Sequence, residues 1–269
     1  MRTSLCFVLA SLATLALGCA PTDSFGSGIG PALQGDGEPT VLSSEDDGKA
    51  DGAGQVVFLN FGGARIHHGD SCSDAPNNCS SLVSGTQDFA PFTLDQQSDR
   101  GKTVAAITSC VGQFYDDMNL SFVTTRPRGG NYTMMMIGAI YPTQLGFQQN
   151  GQGPYGRAPV DCGNSNKNDI GFLLLENDIN PDFYYMCRSI AHELGHSFGM
   201  QHVHGANTVT GSRVDMMCES DECRNAAASG AVKWDTINKS MPSDTTACDG
   251  SDQQNTYARL MDTLGVRGH

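Results

Sequence analysis

"HELGHSFGMQH", residues 192–202, is the stretch on which the rest of this chain turns. It gathers three of the chain's seven histidines and a glutamate. On a helix, His192 and His196 lie one turn apart on a single face, so both rings can reach one ion. Glu193 stands next to the first of them, placed to hold a water without binding the ion. Gly199 can take positive φ without a Cβ clash, so the backbone can turn there and bring His202 round as a third nitrogen donor. Three neutral imidazoles leave a fourth position open to water, which separates a catalytic zinc site from a closed structural one. His204 is an alternative third ligand two residues on. The bland alternative, histidines on a solvated helix face, leaves Gly199 unexplained.

Working outward, the zinc-binding stretch sits at the end of a helix predicted over 183–198, with Asp182 as N-cap and Gly199 as stop. Before it, "DIGFLLLEN" (169–177) has the unbroken apolar character of a strand buried on both faces. "QVVFLNFGGARI" (55–66), interrupted by Gly62-Gly63, "LSFVTT" (120–125) and "YTMMMIGAI" (132–140) are predicted strands, the last two joined through a turn at 127–130. Met134, Met135 and Met136 form either a buried strand or a binding surface. Between residues 100 and 119, Val104, Ile107, Val111, Phe114, Tyr115 and Met118 recur at helical steps. Residues 141–168 are rich in Gly, Gln and Asn and form an irregular loop or edge segment. "DQQNTYARLMDTLG" (252–265) is a C-terminal helix capped by Gly265. His67 and His68, closing the first strand, are surface residues by default.

The chain has 269 residues, enough for one large domain or two small ones, and a formal charge of −13. That charge argues against nucleic acid or an anionic membrane as partner, because both reward clustered Lys and Arg. Residues 1–19 carry an arginine and then an uncharged apolar run, the pattern of an export signal. Cys19 after "LALG" resembles a lipobox with Ala16 where Leu is preferred, so Cys19 is a lipidation site or the signal is cleaved near Ala20. Residues 20–54, rich in Gly, Ser, Pro and Asp, read as a disordered acidic tether spanning about 30–35 Å. Ten cysteines less Cys6 and Cys19 leave eight in the domain at 55–269, an even number that suggests four disulfides in an exported protein. Cys72 with Cys79 and Cys218 with Cys223 are plausible short loops. No pair has the C-x-x-C spacing of a zinc cluster.

At residues 192–202 the sequence resembles the metzincin clan of zinc endopeptidases, whose signature is H-E-x-x-H-x-x-G-x-x-H followed by a methionine turn. "RVDMMCES" (213–220) supplies that turn, with Met217, or Met216 as competitor, implied as an apolar floor beneath the histidines. The resemblance spans 55–265 and implies an α+β fold: a twisted mixed sheet, two long helices, an active-site helix, the Met-turn and a C-terminal helix. Val203 points to no particular group. Some members place a tyrosine two residues beyond the turn methionine, and here Glu219 stands there instead. No cysteine-switch prosegment fits the tether, and Asp23, Asp46 and Asp47 are solvated linker carboxylates rather than zinc caps.

The resulting expectation is a secreted or surface-anchored zinc endopeptidase. One Zn2+ is held by His192, His196 and His202, and Glu193 is the catalytic base. The substrate is a protein or peptide, bound along an edge strand. The protein is a monomer that meets a membrane only through its lipid. Two rivals stand beside this. One is a zinc-bearing surface binding or adhesion domain with a vestigial site, and the other is a zinc hydrolase acting on a non-protein amide.

Overall fold

A computed structural model describes residues 54–93, 99–138, 142–146, 156–174, 183–205, 208–220, 223, 225–226, 233–244, 248 and 250–268. The export signal, Cys19, the tether before Gly54, its aspartates and the N-cap Asp182 lie outside them.

The protein is α+β. Its strands are β1 (Gln55–Asn60), β2 (Ala64–His68), β3 (Ser73–Asp74), β4 (Cys79–Ser80), β5 (Gln87–Phe89), β6 (Leu120–Val123), β7 (Tyr132–Gly138), β8 (Gly156–Arg157) and β9 (Ile170–Leu174). Short strands β10 (Val209–Thr210), β11 (Arg213–Asp215), β12 (Lys233–Asp235), β13 (Met241–Pro242) and β14 (Gln253–Gln254) follow. The helices are α1 (Arg100–Gln113), α2 (Phe183–Ser197) and α3 (Thr256–Leu264). The main sheet has the order β6-β1-β7-β9-β8, with the first four strands parallel and β8 antiparallel on the edge.

Parallel strands need cover on both faces. Strand alternation sends Val57, Leu59, Met135, Ile137 and Leu173 to one face, where Ile107 and Val111 of α1 and Ile190 and Leu194 of α2 cover them. Phe58, Met134, Met136, Ile170 and Phe172 face the other way, against Ile66 and Phe89 of the small sheet β3-β4-β2-β5. Met134, Met135 and Met136 are therefore core, not a binding surface, and Asn60 Nδ2 donates to the Met136 sulfur at 3.1 Å.

Three predicted boundaries move. The first strand is two, broken where Gly63 turns at φ 74° and lies against the Phe89 carbonyl too closely for a side chain. Helix α1 ends at Gln113 rather than running on to 119, although Phe114, Tyr115 and Met118 remain buried through the turns beyond it. Asp116 and Asp117 would sit in its last turn, the wrong charge for the negative end of the helix dipole. Helix α3 begins after Asn255, whose side chain accepts from Ala258 N at 3.0 Å, because Gln253 and Gln254 pair with β13. It stops at Gly265, whose φ is 77°.

Four disulfides join Cys72–Cys79, Cys110–Cys187, Cys162–Cys248 and Cys218–Cys223. The second ties α1 to α2 behind the histidines. No helix among the described residues is long and apolar enough to cross a membrane.

Asp169, just before β9, is 1% exposed, and its Oδ2 has no partner while its Oδ1 accepts from Asn166 at 2.8 Å. Burial pushes its pKa from 3.8 up to about 7. A raised folded-state value means stability that is complete below the unfolded pKa and is lost as pH rises through the folded one. Asp169→Asn cannot ionise, so it is expected to melt several degrees above the wild type at about pH 8 and level with it below about pH 4. Thermal melts across that window check this; identical curves at the upper end would refute it.

Candidate metal centre

The helical part of the stretch puts His192 and His196 on one face of α2, with ring centroids 4.9 Å apart. At Phe198–Gly199 the helix closes: Gly199 N donates to His196 O at 2.8 Å and Met200 N to Gly195 O at 2.9 Å. Gly199 has φ 86°, and a β-carbon there would lie 3.0 Å from the Asp161 carbonyl. The chain reverses and carries His202 back. His202 lies 5.1 Å from His192 and 4.7 Å from His196, centroid to centroid.

His202 is held in place by a short extended segment stapled on both sides. Val203 N donates to Met217 O at 3.0 Å and Glu219 N to Val203 O at 3.4 Å. On the other side, His204 N donates to Pro242 O at 2.8 Å and Asp244 N to His202 O at 3.0 Å. His204 does not join the other three histidines; its Nε2 is bonded to Asp244 Oδ1. His67 is exposed, and His68 bonds Val83 O and Asp70.

One nitrogen from each of His192, His196 and His202 lies within 4.8 Å of the other two. The opposite ring nitrogens are spoken for. His192 Nδ1 meets Met216 O at 2.9 Å, and His196 Nδ1 meets Met200 O at 2.8 Å. A carbonyl only accepts, so both protons sit on Nδ1 and both Nε2 lone pairs face inward. His202 Nδ1 meets two carboxylates, Glu219 at 2.8 Å and Asp244 at 3.2 Å. His196 Nε2 and His202 Nε2 then face each other at 3.1 Å. Tetrahedral zinc with nitrogens at 2.0–2.1 Å spaces them at about 3.3 Å. The donor set fits zinc.

Burial pushes His192 well below the usual histidine pKa, and takes His196 down to about 4. Both rings are neutral, as metal ligands must be. For His202 burial also lowers the pKa, but Glu219 and Asp244 outweigh it and hold the ring above its ordinary value. Glu193 is 7% exposed, and burial raises its pKa from 4.5 to about 8.

Of the two turn methionines, Met217 places its sulfur against Gly195 too closely for any side chain there, between the two helical histidines. Met216 contributes its carbonyl to His192. Beneath the turn, Asp215 is wholly buried and accepts from Met217 N at 2.9 Å, Ile237 N at 3.0 Å and Thr256 Oγ1 at 3.0 Å. That carboxylate ties the turn to the start of α3.

The three histidines and Glu193 open onto a cleft of about 400 Å3 bordered by β8 and Glu219. A β-carbon on Gly156 of β8 would lie 2.5 Å from Glu193 Cγ and Oε1. Glycine lets the edge strand's backbone touch the carboxylate. Gly156→Ala is accordingly expected to displace Glu193 and lower turnover about tenfold without changing zinc affinity. Metal titration and peptide kinetics on one preparation check it, and an unchanged kcat would count against that contact.

Glu219 was noticed in the sequence only as the absence of a tyrosine; its bond to His202 was not foreseen. Gly156 and Asp244 were missed. The first lay in a stretch without periodicity, and the second is 42 residues from the ring it holds.

No family model matches the chain, and no curated protein does. Among solved structures, a similarity is found to high choriolytic enzyme 1, a hatching enzyme zinc-protease from the medaka fish Oryzias latipes. It is 18% identical with a TM-score of 0.22, over 41% of this chain and 43% of that one. The chain thus spans less than half of that enzyme's length, and a likeness so slight places it in no family.

Proposed function

We propose that this protein is a zinc-dependent endopeptidase of the metzincin type. The observation that carries the proposal is the convergence of three imidazoles from two segments beside a buried carboxylate, at the wall of an open cleft. Zinc bound there by His192, His196 and His202 would supply Lewis acidity, lowering the pKa of a bound water and polarising a carbonyl. Glu193 takes the proton from the attacking water and returns it to the leaving amine. Its raised pKa suits both halves of that transfer near neutral pH, and an adjacent cation draws the value down towards the working range. β8, at the edge of the sheet, offers main-chain groups to an extended peptide. Four disulfides support an exported protein.

The test is hydrolysis of casein by the full chain, refolded with its disulfides and supplied with zinc, in the presence and absence of a chelator. Cleavage that stops with the chelator and returns with zinc is the expected result. A protein that binds one zinc and cleaves neither casein nor a peptide library would instead be the surface-binding domain.

A further inference from the structure

Two main-chain carbonyls orient the helical histidines, and each belongs to a peptide unit whose other end is also held. His196 Nδ1 donates to Met200 O at 2.8 Å, and the same planar unit carries Gln201 N. In a trans peptide the N–H points opposite to the C=O, and this N–H donates to Gln254 Oε1 at 2.8 Å. His192 Nδ1 donates to Met216 O at 2.9 Å, and the N–H of that unit, on Met217, donates to Asp215 Oδ1 at 2.9 Å. Fixing the N–H of a rigid unit fixes the direction of its carbonyl, and with it the ring that the carbonyl holds.

The two grips form one network. Gln254 Nε2 donates to Gln201 O at 2.9 Å, so a single side chain holds both peptide units of Gln201. It also donates to Thr256 Oγ1 at 3.3 Å, and Thr256 donates in turn to Asp215 Oδ1 at 3.0 Å. Arg259 Nη1 reaches Gln254 Oε1 at 3.4 Å. Gln254, Thr256 and Asp215 are wholly buried. Their donor and acceptor roles are fixed by their partners. Gln201 N needs the amide oxygen of Gln254 and Gln201 O needs its NH2, while Asp215 already accepts from the N–H groups of Met217 and Ile237. Every proton therefore points the same way, from Gln254 through Thr256 to Asp215. Hydrogen bonds arranged head to tail in a dry interior polarise one another. Neither Gln254 nor Thr256 borders the cleft, so neither meets a substrate there.

We propose that Gln254 and Thr256 are positioning residues of the metal centre. They set the carbonyls of Met200 and Met216, and through them the direction of His196 Nε2 and His192 Nε2. The start of α3 thus aims two ligands on α2 without touching either ring. The inference rests on the zinc reading of the three histidines. Losing the partner that orients a ligating histidine typically weakens metal binding about 10- to 100-fold. Here the carbonyls stay and only their support is removed, so the low end of that range applies.

The experiment uses the full chain, refolded with its disulfides. Thr256→Val keeps the volume and removes the hydroxyl, Thr256→Ser keeps the hydroxyl, and Gln254→Met keeps the length and removes the amide. Competition with a chromogenic chelator should show zinc Kd raised about tenfold in Thr256→Val and Gln254→Met, and within about twofold of the wild type in Thr256→Ser. In isotope-labelled, zinc-loaded protein the Nδ1–H resonances of His192 and His196 should move in the first two variants and return in the serine variant. Variants that melt lower but keep the wild-type Kd and resonances would make the network merely structural and overturn the proposal. If Gln254→Met does not fold, the two Thr256 variants decide the question between them. Wild-type protein that binds no zinc at its histidines would instead overturn the proposed function, and the positioning role with it.

Discussion

Glu193→Gln is expected to lower kcat for peptide hydrolysis by about 10²- to 10⁴-fold while zinc content stays at the wild-type level. The two halves of that result separate chemistry from architecture. Glu193 is not one of the three converging ligands, so its loss leaves the metal its imidazoles. Gln has the same shape, so it keeps the contact with Gly156 that confines the side chain. What it lacks is the ability to accept a proton. Burial raises the Glu193 pKa from 4.5 to about 8 and zinc beside it would draw it back down, so the side chain can both take and return a proton near neutral pH, which Gln cannot. Metal analysis and steady-state kinetics on one preparation decide it. A variant that holds zinc and turns over at the wild-type rate would end the mechanism.

How much of this was legible beforehand follows from how local each signal is. The α2 histidines, the Gly199 turn and the two short disulfide loops depend on residues within a dozen positions of one another; spacing points to the first two and makes the loops plausible without fixing a pairing. The β7 methionines are legible in the same way, as an apolar run that needs cover on both faces. Strand ends were less clear, because Gly63 breaks a β-branched run through its own backbone and through the Phe89 carbonyl that lies against it. Long-range partners left no local trace. Asp215 looks like any acid in a turn until β12 and α3 bring Ile237 and Thr256 to it. Gly156 looks like one more loop glycine until the sheet edge brings it to Glu193.

The same distinction singles out His202 as the proposed ligand most open to disruption. His192 and His196 are 7% and 8% exposed, and main-chain carbonyls hold them. The His202 side chain is 25% exposed and is held by Glu219 and Asp244, which reach it from opposite sides of Val203. A carboxylate on the outer nitrogen of a ligating histidine fixes the ring's orientation and raises its basicity, and losing one typically costs about 10- to 100-fold in metal affinity. Here the two carboxylates share one nitrogen, so each can stand in for the other. Glu219→Ala and Asp244→Ala are each expected to weaken zinc binding only about tenfold, at the low end of that range. The double variant should lose about 10³-fold, more than the product of the single losses, which is the non-additivity that groups acting on one atom produce. Competition with a chromogenic chelator measures all three dissociation constants, and the cobalt-substituted spectrum reports whether the third nitrogen remains bound. A double variant that binds zinc as tightly as the wild type would mean that His202 is held by the staple of Val203 alone.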